Sequence, residues 1–144
     1  MNNTKLLIVE DDSIFLNALV WQLTQMGYDA INIVSAESLE QSRELKSEFI
    51  PEVILLDLNI KDCHGIKTYE EITSLYPDSA IVILSGMNDE AIALDIVKKG
   101  AQDYLLKSDV SSKILSKTIE YSKERKNLIH QLKESELKYR NVFN

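Results

Sequence analysis

One stretch constrains the fold of this chain more than any other: residues 53–56 are all apolar, and they are followed directly by the carboxylate of Asp57. An apolar run of this length, followed by the turn-prone residues 59–65, is typical of a strand buried on both faces of a parallel sheet. Such a strand delivers Asp57 to the carboxyl edge, where open α/β sheets bind their ligands. The sequence therefore predicts an α/β protein with its chemistry near Asp57.

The rest of the chain alternates short apolar runs with amphipathic segments. We predict five strands, at residues 5–9, 28–34, 53–57, 80–84 and 102–106. We predict helices at residues 13–26, from Ser35 or Ser38 to Pro51, at 66–75, at 89–99, and from Ser111 onward. In the first helix, Ile14, Phe15, Ala18, Leu19, Leu23 and Met26 recur at helical spacing. Strand–helix repeats with right-handed crossovers predict a flavodoxin-like, doubly wound five-stranded parallel sheet of order 2-1-3-4-5, with five helices, the last extended.

Length and composition suit one domain with an appendage. The chain has 144 residues, of which 44% are hydrophobic and 27% charged. We place a compact domain at residues 1–122 and a helical extension at 123–144, since no proline or glycine follows Ser111. The single cysteine, Cys63, excludes an intrachain disulfide. No apolar run could span a bilayer, and the N-terminus lacks the order of a signal peptide, so we expect a cytoplasmic protein.

The charge is distributed unevenly along the chain. Residues 1–110 carry 8 Lys and Arg against 19 Asp and Glu, a net charge of −11. Residues 111–144 carry 8 against 4, a net charge of +4. The positive side chains of this second part alternate with glutamate along a helix and form no single basic patch. The pattern therefore predicts no direct contact with nucleic acid.

Polar side chains stand at the carboxyl ends of four predicted strands: Glu10 and Asp11 after the first, Asp57 after the third, Ser85 after the fourth and Lys107 after the fifth. In this strand order the first and third strands are neighbours, so three carboxylates converge and favour a hard divalent cation, Mg²⁺ or Mn²⁺. A phosphoryl group arriving at Asp57 would also meet the ammonium of Lys107 and the hydroxyl of Ser85. Asp57 is then the candidate nucleophile of an aspartyl phosphate.

These motifs resemble those of receiver domains of two-component response regulators. The resemblance covers residue 5 to about residue 121 and is carried by residues 8–12, 55–59 with Gly65, 84–86 and 99–107. It implies the following roles: Asp57 as phosphoacceptor, Asp11 as direct metal ligand with Glu10 as its acidic partner, the main-chain carbonyl of Asn59 as a further ligand, Lys107 as phosphoryl-binding residue, and Ser85 with Tyr104 as the switch pair.

The resemblance also implies partners and a mode of action. The phosphoryl donor would be a sensor histidine kinase or a phosphotransfer protein. The chain would not be a turnover enzyme, although it would catalyse its own phosphorylation and dephosphorylation. Two positions depart from the family pattern: Lys61 and Ser108 each replace a common proline. Since the family's lysine–proline bond is typically cis, the sequence leaves the geometry of the Lys107–Ser108 bond open.

Several residues have simpler interpretations. Asp12 is expected to cap a helix and not to bind metal, and Cys63 and His64 are interpreted as loop residues. His130 only loosely resembles a kinase phosphoacceptor and is interpreted as an exposed helix residue. Tyr104 could serve only in packing.

The extension suggests two further partners. Ile114, Tyr121, Leu128, Ser135 and Val142, with Leu132 and Tyr139 between them, form a poor heptad pattern that predicts a homodimer. Residues 133–143 are similar to the helix that leads into PAS sensor domains, which predicts a downstream PAS domain.

Three other functions remain alternatives. A pseudo-receiver would act as a dimerisation scaffold through its last helix, but the acids and Lys107 argue against it. A phosphatase with an aspartate nucleophile usually has an acid where this chain has Asn59. A flavodoxin would need a hydroxyl-rich phosphate loop after the first strand.

Overall fold

The chain forms a central parallel sheet with helices on both faces. This computed structural model describes residues 1–143, with side chains described to residue 140. The strands are β1 (Leu6–Val9), β2 (Ile33–Ala36), β3 (Val53–Asp57), β4 (Asn59–Ile60), β5 (Cys63–His64), β6 (Ala80–Ser85) and β7 (Asp103–Leu106). The helices are α1 (Ser13–Gln25), α2 (Leu39–Leu45), α3 (Ile66–Leu75), α4 (Glu90–Lys98) and α5 (Ser112–Phe143).

The order of the central sheet confirms the predicted topology. Its strands run β2-β1-β3-β6-β7, and every pairing is parallel. Because β6 and β7 are the fourth and fifth strands of this sheet, the order is the predicted 2-1-3-4-5. The strands β4 and β5 form a separate antiparallel hairpin directly after β3.

Strand β3 is buried on both faces, as predicted from its continuous apolar sequence. All five of its residues are buried. Ile54 and Leu56 belong to the core beneath α2, α3 and α4, whereas Val53 and Leu55 belong to the core beneath α1 and α5. The central strand therefore holds the two helical layers together and places Asp57 at the sheet's carboxyl edge.

The helix ends follow local chemistry. The side chain of Asp12 accepts hydrogen bonds from the main-chain N–H groups of Ile14 and Phe15, at 3.0 and 3.2 Å, which confirms that it caps α1. Ser38 caps α2 by accepting a hydrogen bond from the N–H of Gln41 at 3.1 Å. These side chains satisfy N–H groups that have no partner within the helix.

The prediction for the second strand was wrong in its bounds. It was placed at residues 28–34, but β2 runs from Ile33 to Ala36, and a short 3₁₀ turn at Ala30–Asn32 precedes it. The side chain of Asp29 accepts a hydrogen bond from the N–H of Ile31 at 3.1 Å and so stabilises the turn. This local side-chain hydrogen bond competes with strand formation at these residues.

Not all of the apolar residues that recur at helical spacing in α1 are buried. Ile14 is 81% exposed and Ala18 is also exposed, whereas Leu16, Leu19 and Leu23 are buried. Leu16 lies on the same side of the helix as Leu19 and Leu23, and Ile14 lies on the opposite side.

The interpretation of Cys63 and His64 as loop residues was also wrong, because both residues lie in strand β5. The strand forms because residues 63 and 64 pair with the equally short β4 across a tight turn.

Helix α5 packs on the domain and then continues away from it. Leu115 and Ile119 are fully buried, and Ser122 is 3% exposed. Beyond Lys126 every residue up to Arg140 is exposed. The helix has 32 residues, which corresponds to a length of about 48 Å. The predicted seam residue Val142 and the terminal Asn144 lie outside the residues whose side chains the structure describes.

Candidate functional site

The acidic residues that follow β1 and β3 meet at the carboxyl edge of the sheet. Strands β1 and β3 are hydrogen-bonded neighbours, and their register pairs Val9 with Leu56. Glu10 and Asp57 are the next residue in each strand's direction, so their side chains are adjacent at the edge. Glu10 is completely buried and Asp57 is 8% exposed. The buried apolar strands therefore fix both carboxylates in place.

Glu10, Asp11 and Asp57 form a compact carboxylate cluster. One carboxylate oxygen from each residue lies within 4.8 Å of the others. Carboxylates this close repel one another, and a hard divalent cation with oxygen ligands relieves the repulsion. The donor set therefore fits Mg²⁺ or Mn²⁺, as predicted from the sequence.

Lys107, the residue directly after β7, faces the carboxylate cluster. Its Nζ lies 2.6 Å from Oε2 of Glu10 and 2.8 Å from Oδ2 of Asp57. The same ammonium lies 5.0 Å from the centre of the Phe15 ring, within the range of a cation–π contact. Partial burial lowers the pKa of Lys107, but the hydrogen bonds to Asp57 and Glu10 outweigh burial and raise the pKa above its ordinary value. Lys107 is therefore held as a cation.

Burial has the largest influence on the pKa of Glu10. Its burial, and then its contact with the side chain of Asp57, raise the pKa of Glu10 to about 7. Lys107 and the N–H of Asp12, which donates to Oε1 of Glu10 at 3.1 Å, oppose this increase. A neighbouring cation therefore favours the negatively charged form of Glu10.

The main chain after β3 orients Asp57. The N–H of Asn59 donates a hydrogen bond to Oδ1 of Asp57 at 3.0 Å, while Oδ2 faces Lys107. The side-chain amide of Asn59 lies 3.5 Å from Oδ2 of Asp89. The role of the Asn59 carbonyl as a metal ligand stays a prediction.

Ser85 and Tyr104 occupy the neighbouring strands. Ser85 ends β6, is 1% exposed, and donates a hydrogen bond from Oγ to the carbonyl oxygen of Gly86 at 3.2 Å. The Tyr104 hydroxyl donates to Oε1 of Glu90, at the start of α4, at 3.0 Å. This hydrogen bond to Glu90 raises the pKa of the Tyr104 hydroxyl above its ordinary value. The switch role of the pair stays a prediction.

The structure also gives the geometry of the Lys107–Ser108 bond and the surroundings of Cys63 and His130. The described residues contain no cis peptide bond, so the Lys107–Ser108 bond is trans. Cys63 is buried, and His130 pairs with Glu134 at 3.3 Å on the exposed part of α5. Neither Cys63 nor His130 belongs to the carboxylate cluster.

Sequence reasoning missed two contacts of the site and its surroundings. The cation–π contact of Phe15 was invisible because any apolar residue at that helix position is equally compatible with core packing. The second contact involves Asp62, whose carboxylate accepts hydrogen bonds from the N–H groups of Leu39 and Glu40 at 2.8 and 3.1 Å. Asp62 lies 23 residues after Leu39, the first residue of α2. An acid so far along the chain gives no local sequence signal that it caps this helix.

The comparison with known families decides the identity of this arrangement. A family model described as the response regulator receiver domain matches residues 6–119. The chain belongs to the response regulator receiver-domain family. As receiver domains are signalling modules, this assignment agrees with the prediction that the chain is not a turnover enzyme.

Individual relatives agree with this assignment. This receiver domain is 25% identical over 122 residues to the chemotaxis protein CheY of Thermotoga maritima, covering 83% of this chain and 98% of CheY. It is 34% identical over 115 residues to the photosynthetic apparatus regulatory protein RegA of Rhodovulum sulfidophilum, covering 77% of this chain. The chain spans 61% of RegA, less than two thirds of that regulator.

A solved structure shows the same fold. A response regulator receiver domain protein from Clostridium thermocellum superposes with a TM-score of 0.75 and 27% identity, covering 88% of this chain and 98% of that one. Among the described residues of this receiver domain, no helix has both the length and the apolarity needed to cross a membrane.

Proposed function

We propose that this receiver domain accepts a phosphoryl group on Asp57 from a sensor histidine kinase or a phosphotransfer protein. The observation that carries the proposal is the position of the Asp57 carboxylate, which belongs to the acidic cluster at the sheet edge and faces the ammonium of Lys107. An oxygen of Asp57 forms the new bond to phosphorus while the bond from phosphorus to the donor's imidazole nitrogen breaks. The leaving imidazole then takes up a proton from solvent.

Each neighbour of Asp57 has a distinct part in this proposal. Glu10, Asp11 and Asp57, with the Asn59 carbonyl, would hold Mg²⁺. When bound, Mg²⁺ supplies neutralising charge to a phosphoryl oxygen. Lys107 lies 2.8 Å from Asp57 and supplies the second positive charge. The N–H of Asn59 holds Oδ1 of Asp57, so that the carboxylate orientation is fixed before the donor arrives.

The proposed output begins at Ser85 and Tyr104. A phosphoryl group on Asp57 adds close to two negative charges, which attract the Ser85 hydroxyl and shift the loop after β6. Tyr104 then leaves Glu90 and turns inward, and the change passes to α5. Helix α5 relays it to a second copy or to a downstream PAS domain. In this proposal the phosphoryl transfer takes place in the cytoplasm, and the chain makes no direct contact with nucleic acid.

The direct test measures the phosphoryl group itself. The full chain is incubated with acetyl phosphate and Mg²⁺, and its intact mass is recorded. We expect the wild type to gain one phosphoryl mass and Asp57→Asn to gain none. Asp95→Asn, which changes an exposed acid on α4, is the matched control and should be labelled like the wild type. Labelling of Asp57→Asn would show that the nucleophile is another residue.

A scaffold function is the second candidate, because α5 exposes large apolar side chains. Leu128 is 57% exposed and Leu132 is 69% exposed. A pseudo-receiver scaffold would assemble through such residues regardless of the state of Asp57. Sedimentation with and without beryllofluoride and Mg²⁺ separates the two candidates, since only a phosphoacceptor should respond to this phosphoryl analogue.

A further inference from the structure

The part of α5 that leaves the domain carries a continuous exposed seam. We define the α5 seam as the residues spaced alternately by four and three positions from 121 to 139: Tyr121, Arg125, Leu128, Leu132, Ser135 and Tyr139. This spacing places all of them on one side of the helix. Its four large apolar members, Tyr121, Leu128, Leu132 and Tyr139, are 59%, 57%, 69% and 65% exposed.

The α5 seam begins where the face of α5 that packs on the domain ends: Thr118, the preceding position of the same spacing, is 8% exposed, whereas Tyr121 is 59% exposed. The domain covers Leu115, Ile119 and Ser122, which are 0%, 0% and 3% exposed. At 3.6 residues per turn these residues lie roughly a third of a turn away from the seam. A second helix can therefore lie along the seam without displacing the domain.

We propose that the α5 seam binds the α5 seam of a second copy of this chain, with the two helices antiparallel. In the register that centres the seams on each other, Leu128 packs against Leu132 of the second copy. Tyr121 then packs against Tyr139 of the second copy, and Arg125 lies opposite Ser135. By the two-fold symmetry of the pair, each of these contacts occurs twice.

The charges that flank the seam favour this direction. In the antiparallel register Glu124 lies across from Lys138 of the second copy. The two-fold symmetry repeats this contact, so the dimer gains two ion pairs. In a parallel pair Arg125 would face Arg125 of the second copy within the seam. Glu124 would then lie beside Ile129 of the second copy and would have no cation as its neighbour. The antiparallel arrangement thus matches opposite charges and avoids a like-charge contact.

Glu124 and Lys138 are available for such contacts. Neither forms an ion pair with any residue whose side chain the structure describes. Two glutamates of the exposed helix already have partners within it: Glu134 lies 3.3 Å from His130, and Glu136 lies 3.0 Å from Arg140. Among the described side chains of residues 123–140, Glu124 is therefore the one glutamate without an ion pair, and the antiparallel register brings it to Lys138 of the second copy.

The pairing goes beyond the proposed phosphoacceptor function and does not depend on it. No residue of the α5 seam contacts the Asp57 site, so without a phosphoryl donor or beryllofluoride Asp57→Asn should pair like the wild type. A chain that is phosphorylated but monomeric would overturn only the pairing. A chain that pairs but is not phosphorylated would overturn only the phosphoacceptor function.

Sedimentation equilibrium of the full chain tests whether the seam pairs at all. We expect a concentration-dependent mass that approaches twice the monomer mass. Leu128→Lys combined with Leu132→Lys should leave a monomer. Leu137→Lys is the matched control, because Leu137 is 60% exposed on the same helix but lies off the seam. A wild-type monomer at all concentrations, or equal loss of pairing in the control, would overturn the proposal.

A charge exchange tests the register. Glu124→Lys and Lys138→Glu should each raise the dissociation constant by about three- to tenfold, since each change places like charges across the pair at two sites. The double variant should restore the wild-type value, because the opposite charges are exchanged. In a parallel pair residues 124 and 138 are about 21 Å apart along the axis, so no restoration would occur.

Disulfide formation tests the direction on a Cys63→Ser background. Tyr121→Cys mixed with Tyr139→Cys should form mixed disulfide dimers, because these positions face each other in the antiparallel pair. Each variant alone should form none, since identical positions are about 27 Å apart along the axis. Self-crosslinking of either variant alone without mixed dimers would show a parallel pair and overturn the proposal.

Discussion

Lys107 Nζ lies 2.8 Å from Oδ2 of Asp57, although 50 residues separate the two in the chain. The same ammonium lies 2.6 Å from Oε2 of Glu10, so one cation serves two of the three clustered carboxylates. When all three acids are ionised, the cluster with Lys107 retains two negative charges. A divalent cation would balance those charges and leave Lys107 facing the position where a phosphoryl group would arrive.

The first prediction concerns this charge imbalance. Mg²⁺ at about one hundred times its dissociation constant should raise the free energy of unfolding by about 2.7 kcal/mol, because it binds only the folded cluster. Asp11→Asn removes one ligand and should abolish most of that increase. Chemical denaturation with and without Mg²⁺ measures both values. Asp95→Asn, outside the cluster, should keep the full increase, and a full increase in Asp11→Asn would contradict the assignment of Asp11 as a ligand.

The second prediction concerns Tyr104 and Glu90. Their hydrogen bond, 3.0 Å long, holds the tyrosine ring in its outward position. If the ring turns inward when the phosphoryl group binds, Glu90→Ala should tighten the binding of beryllofluoride with Mg²⁺ by about two- to fivefold. Titration calorimetry measures this affinity. Asp95→Ala removes another acid of α4 that does not contact Tyr104 and should leave the affinity unchanged, whereas weaker binding by Glu90→Ala would count against the switch.

The sheet and the acidic cluster could be predicted from the sequence because each depends on a strong local pattern. The apolar run before Asp57 is long enough to identify a buried strand, and strand–helix alternation then leaves few topologies. Once strands one and three are known to be neighbours, Glu10 and Asp57 must meet. The structure confirms the strand order and brings the two carboxylates together.

The parts that could not be predicted depend on contacts between distant residues or on weak local competition. The second strand was misplaced because the hydrogen bond from the N–H of Ile31 to Asp29 stabilises a turn where propensity alone allows a strand. The contact from Phe15 to Lys107 joins a residue on α1 to the residue that follows β7 and leaves no trace in local spacing. The hydrogen bond that holds Tyr104 is likewise set by how α4 packs beside β7.

The third prediction concerns the pH dependence of stability through Asp62. Partial burial raises the pKa of Asp62, but the hydrogen bonds from the N–H groups of Leu39 and Glu40 outweigh burial and lower the pKa below its ordinary value. A carboxylate with a lowered pKa stabilises the folded state above its unfolded pKa, and this contribution is lost as the pH falls through the folded pKa. The stability due to Asp62 should therefore be present at neutral pH and decline below about pH 4.

Asp62→Asn tests this dependence, since it keeps the size of the side chain and removes its charge. At pH 7 the variant should be less stable by about 0.5–1 kcal/mol, within the range of other helix caps. The difference from wild type should disappear in acid. Urea unfolding at several pH values measures it, with Asp95→Asn as the isosteric control. An equal loss at pH 7 and in strong acid would show that charge at Asp62 is not responsible.

The fourth prediction concerns Gly100, where a side chain would destabilise the fold both by backbone strain and by a collision with Tyr69. Gly100 has a φ of +137°, and a Cβ there would lie 2.8 Å from the hydroxyl oxygen of Tyr69. Gly27 has a φ of +100°, but a Cβ there would meet nothing within 4 Å. Gly27→Ala should therefore cost only backbone strain, roughly 1–3 kcal/mol, and Gly100→Ala should cost more because the Tyr69 hydroxyl must also move.

A double-mutant cycle isolates the collision at Gly100. In a Tyr69→Phe background, where the hydroxyl is absent, Gly100→Ala should cost about 1 kcal/mol less than in the wild type. Gly27→Ala should cost the same in both backgrounds, since it does not contact Tyr69. Denaturant unfolding of the two cycles gives these differences. If Gly100→Ala costs the same with and without the Tyr69 hydroxyl, backbone strain alone requires glycine after α4.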